Sequence, residues 1–143
     1  MMRVESMVCK LIVDFRVEED MLLIIKEAAS LAMSDLATAV FTEFTSLSGI
    51  MARHYAIRDG YSEEIAEALL EITLPRFSGD MLPKTDVGII LAIADRLDSL
   101  VGLFAAGCQP SSTSDPFCLR RISYGLVQIL VENGFKTCFG TCC

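Results

Sequence analysis

The charged residues most in need of explanation lie in Ala94-Asp95-Arg96-Leu97-Asp98, inside an otherwise apolar stretch. Charged side chains in such a setting are costly unless they are hydrogen-bonded, ion-paired or bound to metal, so all three need partners. Asp95 and Asp98 stand three positions apart and share one helix face, where they are either paired ligands for a divalent ion or a polar fastening between helices. The structural role is the expectation for Asp95, Arg96 and Asp98, and no metal is assigned. The second chemical group is cationic: Arg53, His54 and Arg58 in Met51–Arg58, and the adjacent pair Arg120-Arg121 after Asp115-Pro116. Guanidinium forks match phosphate oxygens, which makes these five residues the candidates for RNA contact. Their alternatives are solvated helix faces and ordinary packing. Neighbouring helix residues diverge by about 100°, so one of Arg120 and Arg121 is expected to pair with Asp95 or Asp98 while the other faces outward. His54 has no Ser or Cys nucleophile in a recognisable setting and reads as a packed, surface or interface residue rather than a base. Neither a Gly-rich phosphate loop nor a nucleophile elbow nor a cofactor fingerprint is present, so no catalytic residue, cofactor or ATP site is assigned to this chain.

With 143 residues, one domain is the expectation. Hydrophobic residues make up 52% and the mean hydropathy is +0.49, high enough to imply that part of the apolar surface meets another domain or subunit. A membrane span needs about 18 consecutive apolar residues. The longest candidate, Val87–Gly107, carries Asp95, Arg96 and Asp98 near its centre, so no membrane role is expected. The net charge is −7, yet residues 1–75 hold 13 acids against 6 Lys and Arg while residues 76–143 hold 6 of each. The neutral second half permits a local basic RNA contact. Six cysteines without a signal peptide read as reduced thiols. Cys138, Cys142 and Cys143 crowd the end in a spacing that matches no common zinc site.

These side chains must be positioned by helices, because apolar residues recur at helical spacing and no segment shows strand-like alternation. The fold expected is all-α. A partial helix spans 2–15; a long one runs from Val17 to Phe44 with a break near Ser30–Asp35; another runs from Ser46 to Arg58 and stops at Asp59-Gly60. Ser62 caps the next, which presents Ile65, Ala68, Leu69 and Ile72 on one face and Glu63, Glu67 and Glu71 on the other until Pro75 ends it. After a loop over Arg76–Pro83, the residues Val87, Ile90, Leu91, Ala94, Leu97, Val101 and Phe104 mark the core helix, closed by Gly107. The last helix begins at Pro116 behind an Asp115 cap and ends at Glu132, before Asn133-Gly134.

Two family resemblances bear on function. The Ala-Asp-Arg-Leu helix at 94–97 resembles the one that carries the last ligand of the metal-dependent HD phosphohydrolases. That chemistry needs several imidazoles, and Thr42-Glu43 stands where the His-Asp pair would fall. The domain is therefore expected to be a degenerate HD-like helical bundle of about five to seven helices, with a stand-alone HD phosphohydrolase or a helical protein-interaction module as alternatives.

A second, continuous pattern comprises Ser34-Asp35-Leu36-Ala37-Thr38, Thr42-Glu43-Phe44-Thr45, Gly49-Ile50-Met51, His54-Tyr55-Ala56, Asp59-Gly60, Leu74–Asp80, Ala92–Asp98 and Asp115–Arg121. In this order it resembles the beta subunit, or the beta part of a fused organellar chain, of the two-part type of glycine–tRNA ligase. Ala-Ala-Gly-Cys-Gln-Pro-Ser-Ser-Thr at 105–113 resembles the plant organellar form. The pattern departs at Ser48, Ala52 and Cys118, and the first two weaken the transfer of tRNA contacts near Arg53. The resemblance implies ATP-dependent charging of tRNA(Gly), with ATP and Mg used by the alpha catalytic part, and with that part, the remaining beta domains and tRNA(Gly) as partners. It further implies a chloroplast and mitochondrial location for the full enzyme. With no transit peptide evident, the chain itself is assigned to the cytoplasm or left unassigned. Residues 1–16 are expected to be the truncated start of a domain, 17–132 the HD-like helical domain and 133–143 a divergent tail, the whole being inactive alone.

Overall fold

The structure, a computed structural model, describes residues 6, 8, 19–32 and 34–134. Among these residues the chain forms helices α1 (Glu19–Leu31), α2 (Ala39–Glu43), α3 (Ile50–Arg58), α4 (Glu63–Glu71), α5 (Asp86–Ala105) and α6 (Leu119–Glu132). Short 3₁₀ turns occupy Ser34–Ala37 and Thr45–Leu47. The all-α expectation holds. Ser6 and Val8 are helical and Val8 is fully buried; the rest of the expected partial helix over 2–15, the start of α1 before Glu19 and the cysteine-rich tail lie outside the described residues. Among the described residues no helix is long and apolar enough to cross a membrane.

Helix α5 is the axis of the bundle because it is apolar on nearly every side. Val87, Ile90, Leu91 and Ala94 join Ile25, Ala28 and Ala29 of α1 and Ile65, Ala68 and Leu69 of α4 in the larger core. Ile89, Ala92 and Ile93, on the other side, pack with Leu126 and Ile129 of α6. An all-round apolar helix is stable only when neighbours cover it, and α1, α4 and α6 do so for its first half. Leu91, Ile25, Leu69 and Ile129 are at most 2% exposed, so truncating one to Ala removes about 2–5 kcal/mol.

Two expected boundaries shift, each for a local reason. The helix expected from Ser46 begins at Ile50, since Gly49 takes φ +79°, a conformation that interrupts a right-handed helix. A Cβ there would also sit 2.9 Å from the Thr73 side chain. The last helix begins at Leu119 rather than Pro116. Cys118 adopts left-handed backbone (φ 55°) just before it, and the Asp115 carboxylate caps from further out, accepting the N–H groups of Leu119 (2.8 Å) and Arg120 (3.1 Å). The long first helix breaks at Leu31, inside the expected Ser30–Asp35 stretch, and the 3₁₀ turn Ser34–Ala37 follows it.

Ser62 caps α4 as expected, its hydroxyl accepting the Ile65 N–H at 3.4 Å. Glu71 does not lie on the solvent face with Glu63 and Glu67; it is 4% exposed. The last turn of α4 lies against the start of α5, where unpaired amides collect. Glu71 accepts the Lys84 N–H (2.7 Å), the Thr85 N–H (3.1 Å) and the Thr85 hydroxyl. The Thr85 hydroxyl in turn accepts the Gly88 N–H at 3.1 Å and caps α5.

Candidate functional site

A cleft of about 580 Å³ lies at the junction of four segments and collects most of the polar side chains near α5. One wall is the turn carrying Thr45, Ser46 and Ser48; another is Thr73, Pro75 and Arg76; Asp95, Arg96 and Ser99 of α5 and Arg121 and Ile122 of α6 complete it.

Each wall is held by its own fastening. Asp35, 2% exposed, accepts the Gly49 N–H at 2.8 Å and so ties the 3₁₀ segments to the start of α3. Arg96 is buried and donates to the carbonyls of Ile72 (3.2 Å), Ala92 (3.0 Å), Leu74 (2.6 Å) and Pro75 (3.2 Å). It thereby clamps the segment after α4 to α5. Helix α6 approaches this clamp at Gly125, where a Cβ would lie 3.3 Å from Arg96 Nε and 3.4 Å from Pro75. Arg121, one turn before Gly125 on the same helix face, is carried to the cleft by this approach.

Arg96 holds its charge against carbonyl dipoles rather than an ion-pair partner. Burial pulls its pKa below the ordinary arginine value, the Asp95 carboxylate partly offsetting this, and the guanidinium stays a cation at neutral pH. Asp95 is the converse case: burial pushes its carboxyl above the ordinary 3.8, with Arg96 opposing and Asp98 adding to the rise. Among the described residues no hydrogen-bond donor reaches Asp95. No group of three His, Cys, Asp or Glu converges among the described residues.

The sequence-derived cations separate into two groups. Arg53 is bound to Glu67 (Nε–Oε2 2.8 Å) at a half-exposed site. Arg120 donates to the Ser111 carbonyl rather than to Asp95 or Asp98, as had been expected of one of the two arginines. The Asp115 cap and the left-handed Cys118 turn its backbone toward the 111–114 loop. His54 and Arg58, four positions apart on α3, are both exposed. Arg121 is exposed, lines the cleft with Asp95 and carries no ion pair among the described residues. Sequence reasoning missed the hydroxyls Thr45, Ser46, Ser48, Thr73 and Ser99, which come together only in the fold. It also missed Arg76, whose backbone N–H and Nε both bind Asp80 Oδ2 across the turn at Gly79 (2.9 and 3.2 Å). The Arg–Asp bracket four residues apart around a glycine was the available signal.

Comparison with known proteins gives the family of the chain. A family model described as "Glycyl-tRNA synthetase beta subunit" matches residues 1–142. The chain is 77% identical over 133 residues to "Glycine--tRNA ligase, chloroplastic/mitochondrial 2" of Arabidopsis thaliana, covering 93% of this chain and 12% of that protein. It is 50% identical over 118 residues to the "Glycine--tRNA ligase beta subunit" of Marinobacter nauticus, covering 82% and 17%. To that of Dichelobacter nodosus it is 44% identical over 131 residues, covering 92% and 19%. The chain thus spans less than a fifth of the length of each of these relatives. This similarity displaces the stand-alone phosphohydrolase alternative, and the chain belongs to the glycyl-tRNA synthetase beta subunit family.

Proposed function

We propose that this chain is a noncatalytic helical segment of the beta part of a glycine–tRNA ligase, supplying RNA-facing and scaffolding surface for ATP-dependent charging of tRNA(Gly). The observation that carries the reading is the match over residues 1–142 together with 77% identity to the Arabidopsis ligase. Glycine activation with ATP and Mg belongs to the alpha catalytic part, which is a partner together with the remaining beta domains and tRNA(Gly). The chloroplastic and mitochondrial label of the Arabidopsis relative supports an organellar location for the full enzyme.

Of the five RNA-contact candidates, Arg121, Arg58 and His54 are best placed, because Arg53 and Arg120 already have protein acceptors. The scaffolding half rests on α6, where Tyr124, Val127 and Val131 are 56%, 56% and 70% exposed at helical spacing.

The test is binding of tRNA(Gly) by the intact chain over a range of salt. Replacing Arg58 or Arg121 with Ala is expected to weaken binding and to lower the slope of log affinity against log salt by about 0.7 to 0.9 each. Glycine-dependent ATP–pyrophosphate exchange by the chain alone would contradict the noncatalytic reading, and a folded chain with no affinity for tRNA(Gly) would contradict the RNA-facing one.

A further inference from the structure

We propose that the cleft between the Thr45–Leu47 turn, the Thr73–Arg76 segment, α5 and α6 binds one ribose-phosphate unit of an RNA strand, with the phosphate at Arg121 and the ribose 2′-hydroxyl at Asp95. The proposal rests on the RNA-facing reading above and locates its contact at one site.

Charge is the first argument. The chain carries −7 overall, yet three guanidiniums and one carboxyl line this cleft. Arg76 is neutralised by Asp80 at 3.2 Å. Arg96 is bonded to four carbonyls, and Arg121 stands at the exposed edge with no ion pair among the described residues. Asp98 adds a second carboxylate near Asp95, so the anion-binding capacity of the cleft is local, at the Arg121 edge.

Asp95 supplies the second argument. An ionised carboxylate only accepts hydrogen bonds, and among the described residues none is donated to it. A ligand that satisfies both groups is anionic at one end and donates a hydrogen bond at the other. A bare phosphate meets Arg121 but is repelled by Asp95, while a metal ion meets Asp95 but is repelled by the guanidiniums. A ribose phosphate meets both. The hydroxyls of Thr45, Ser46, Ser48, Thr73 and Ser99 add donors and acceptors for the remaining sugar and phosphate oxygens. The volume of about 580 Å³ suits one nucleotide-sized group.

The experiment measures fluorescence anisotropy of the intact chain with a labelled single-stranded RNA and the DNA of the same sequence, folding of each variant being checked by circular dichroism. The wild type is expected to prefer RNA. Asp95→Asn is expected to weaken RNA binding about fivefold to tenfold while DNA binding is unchanged or tighter, since a negative charge has been removed. Arg121→Ala is expected to weaken both strands, with Arg121→Lys restoring part of the loss. Displacement of the RNA by excess 5′-AMP would support a site open to free ribonucleotides; retention, with the Asp95→Asn loss intact, would support a site for the strand alone. If Asp95→Asn tightens RNA and DNA equally, or both variants keep wild-type affinity for tRNA(Gly), the cleft assignment is overturned and the RNA-facing reading survives. A wild-type chain that binds no RNA overturns both.

Discussion

Glu71, at the end of α4, and Asp95, midway along α5, are both carboxylic acids set among apolar neighbours on the core helix α5. Glu71 sits at the amino end of α5 and is saturated, accepting two backbone amides and the Thr85 hydroxyl. Asp95 sits further along α5, beside a cleft, with a carboxyl pushed toward protonation by burial and no donor among the described residues. A saturated carboxylate is a fastening; one that opens onto a cleft beside the unpaired Arg121 is a place for a ligand. The start and the middle of α5 thus divide the work, the first locking the bundle and the second leaving polar capacity open to a cleft.

The largest effect expected is at the locked end. Glu71→Ala strands buried donors, and Gly88→Ala puts a Cβ at 2.0 Å from Glu71 Oε2; each is expected to remove about 3 kcal/mol of stability, read as a lower urea midpoint. A loss under about 1 kcal/mol would break the contrast. Arg96→Met, which frees four carbonyls while keeping the stem, is expected to cost about 2 kcal/mol in the same denaturation. Ser62→Ala, the loss of one exposed cap, is expected to cost about 1 kcal/mol.

The smallest effect on stability is at the unlocked end, and its sign differs. Because the folded pKa of Asp95 is raised above 3.8, the folded state holds more protons than the unfolded state between these two values. Stability therefore falls as pH rises through that window. Asp95→Asn is expected to remove this fall and to leave the melting temperature at pH 7 equal or higher. A clear drop would show that Asp95 is a fastening after all. Asp115 runs the other way: the Arg120 amide first, and the Leu119 amide and the Arg120 and Arg121 charges after it, hold its pKa down against an opposing desolvation, so its contribution is present above the ordinary value and is lost as pH falls through the lowered one.

Much of the helical framework was legible in the sequence, because periodicity, the Ser62 cap and the glycines at 60 and 107 are local signals. Glu71 was not legible, since helical spacing aligns it with Glu63 and Glu67 and only the approach of residues 84–85 turns it inward. The same limit applies to the cleft. Asp95, Arg96 and Arg121 stood out as charges in apolar surroundings, whereas Thr45, Ser48, Thr73 and Ser99 carry no sequence mark and matter only by convergence. The bracket Arg76–Asp80 was readable around Gly79 and went unread. The starts of α3 and α6 lie later than periodicity predicts because positive φ at Gly49 and Cys118 interrupts the right-handed helix.

The measurement that tests the account most directly is ultraviolet cross-linking of tRNA(Gly) to the intact chain, with the joined residues identified by mass spectrometry. The account predicts cross-links in the cleft walls, at Thr45–Ser48, Thr73–Arg76 and around Arg121. Cross-links confined to α1 and α4, with the cleft walls unmodified, would contradict it.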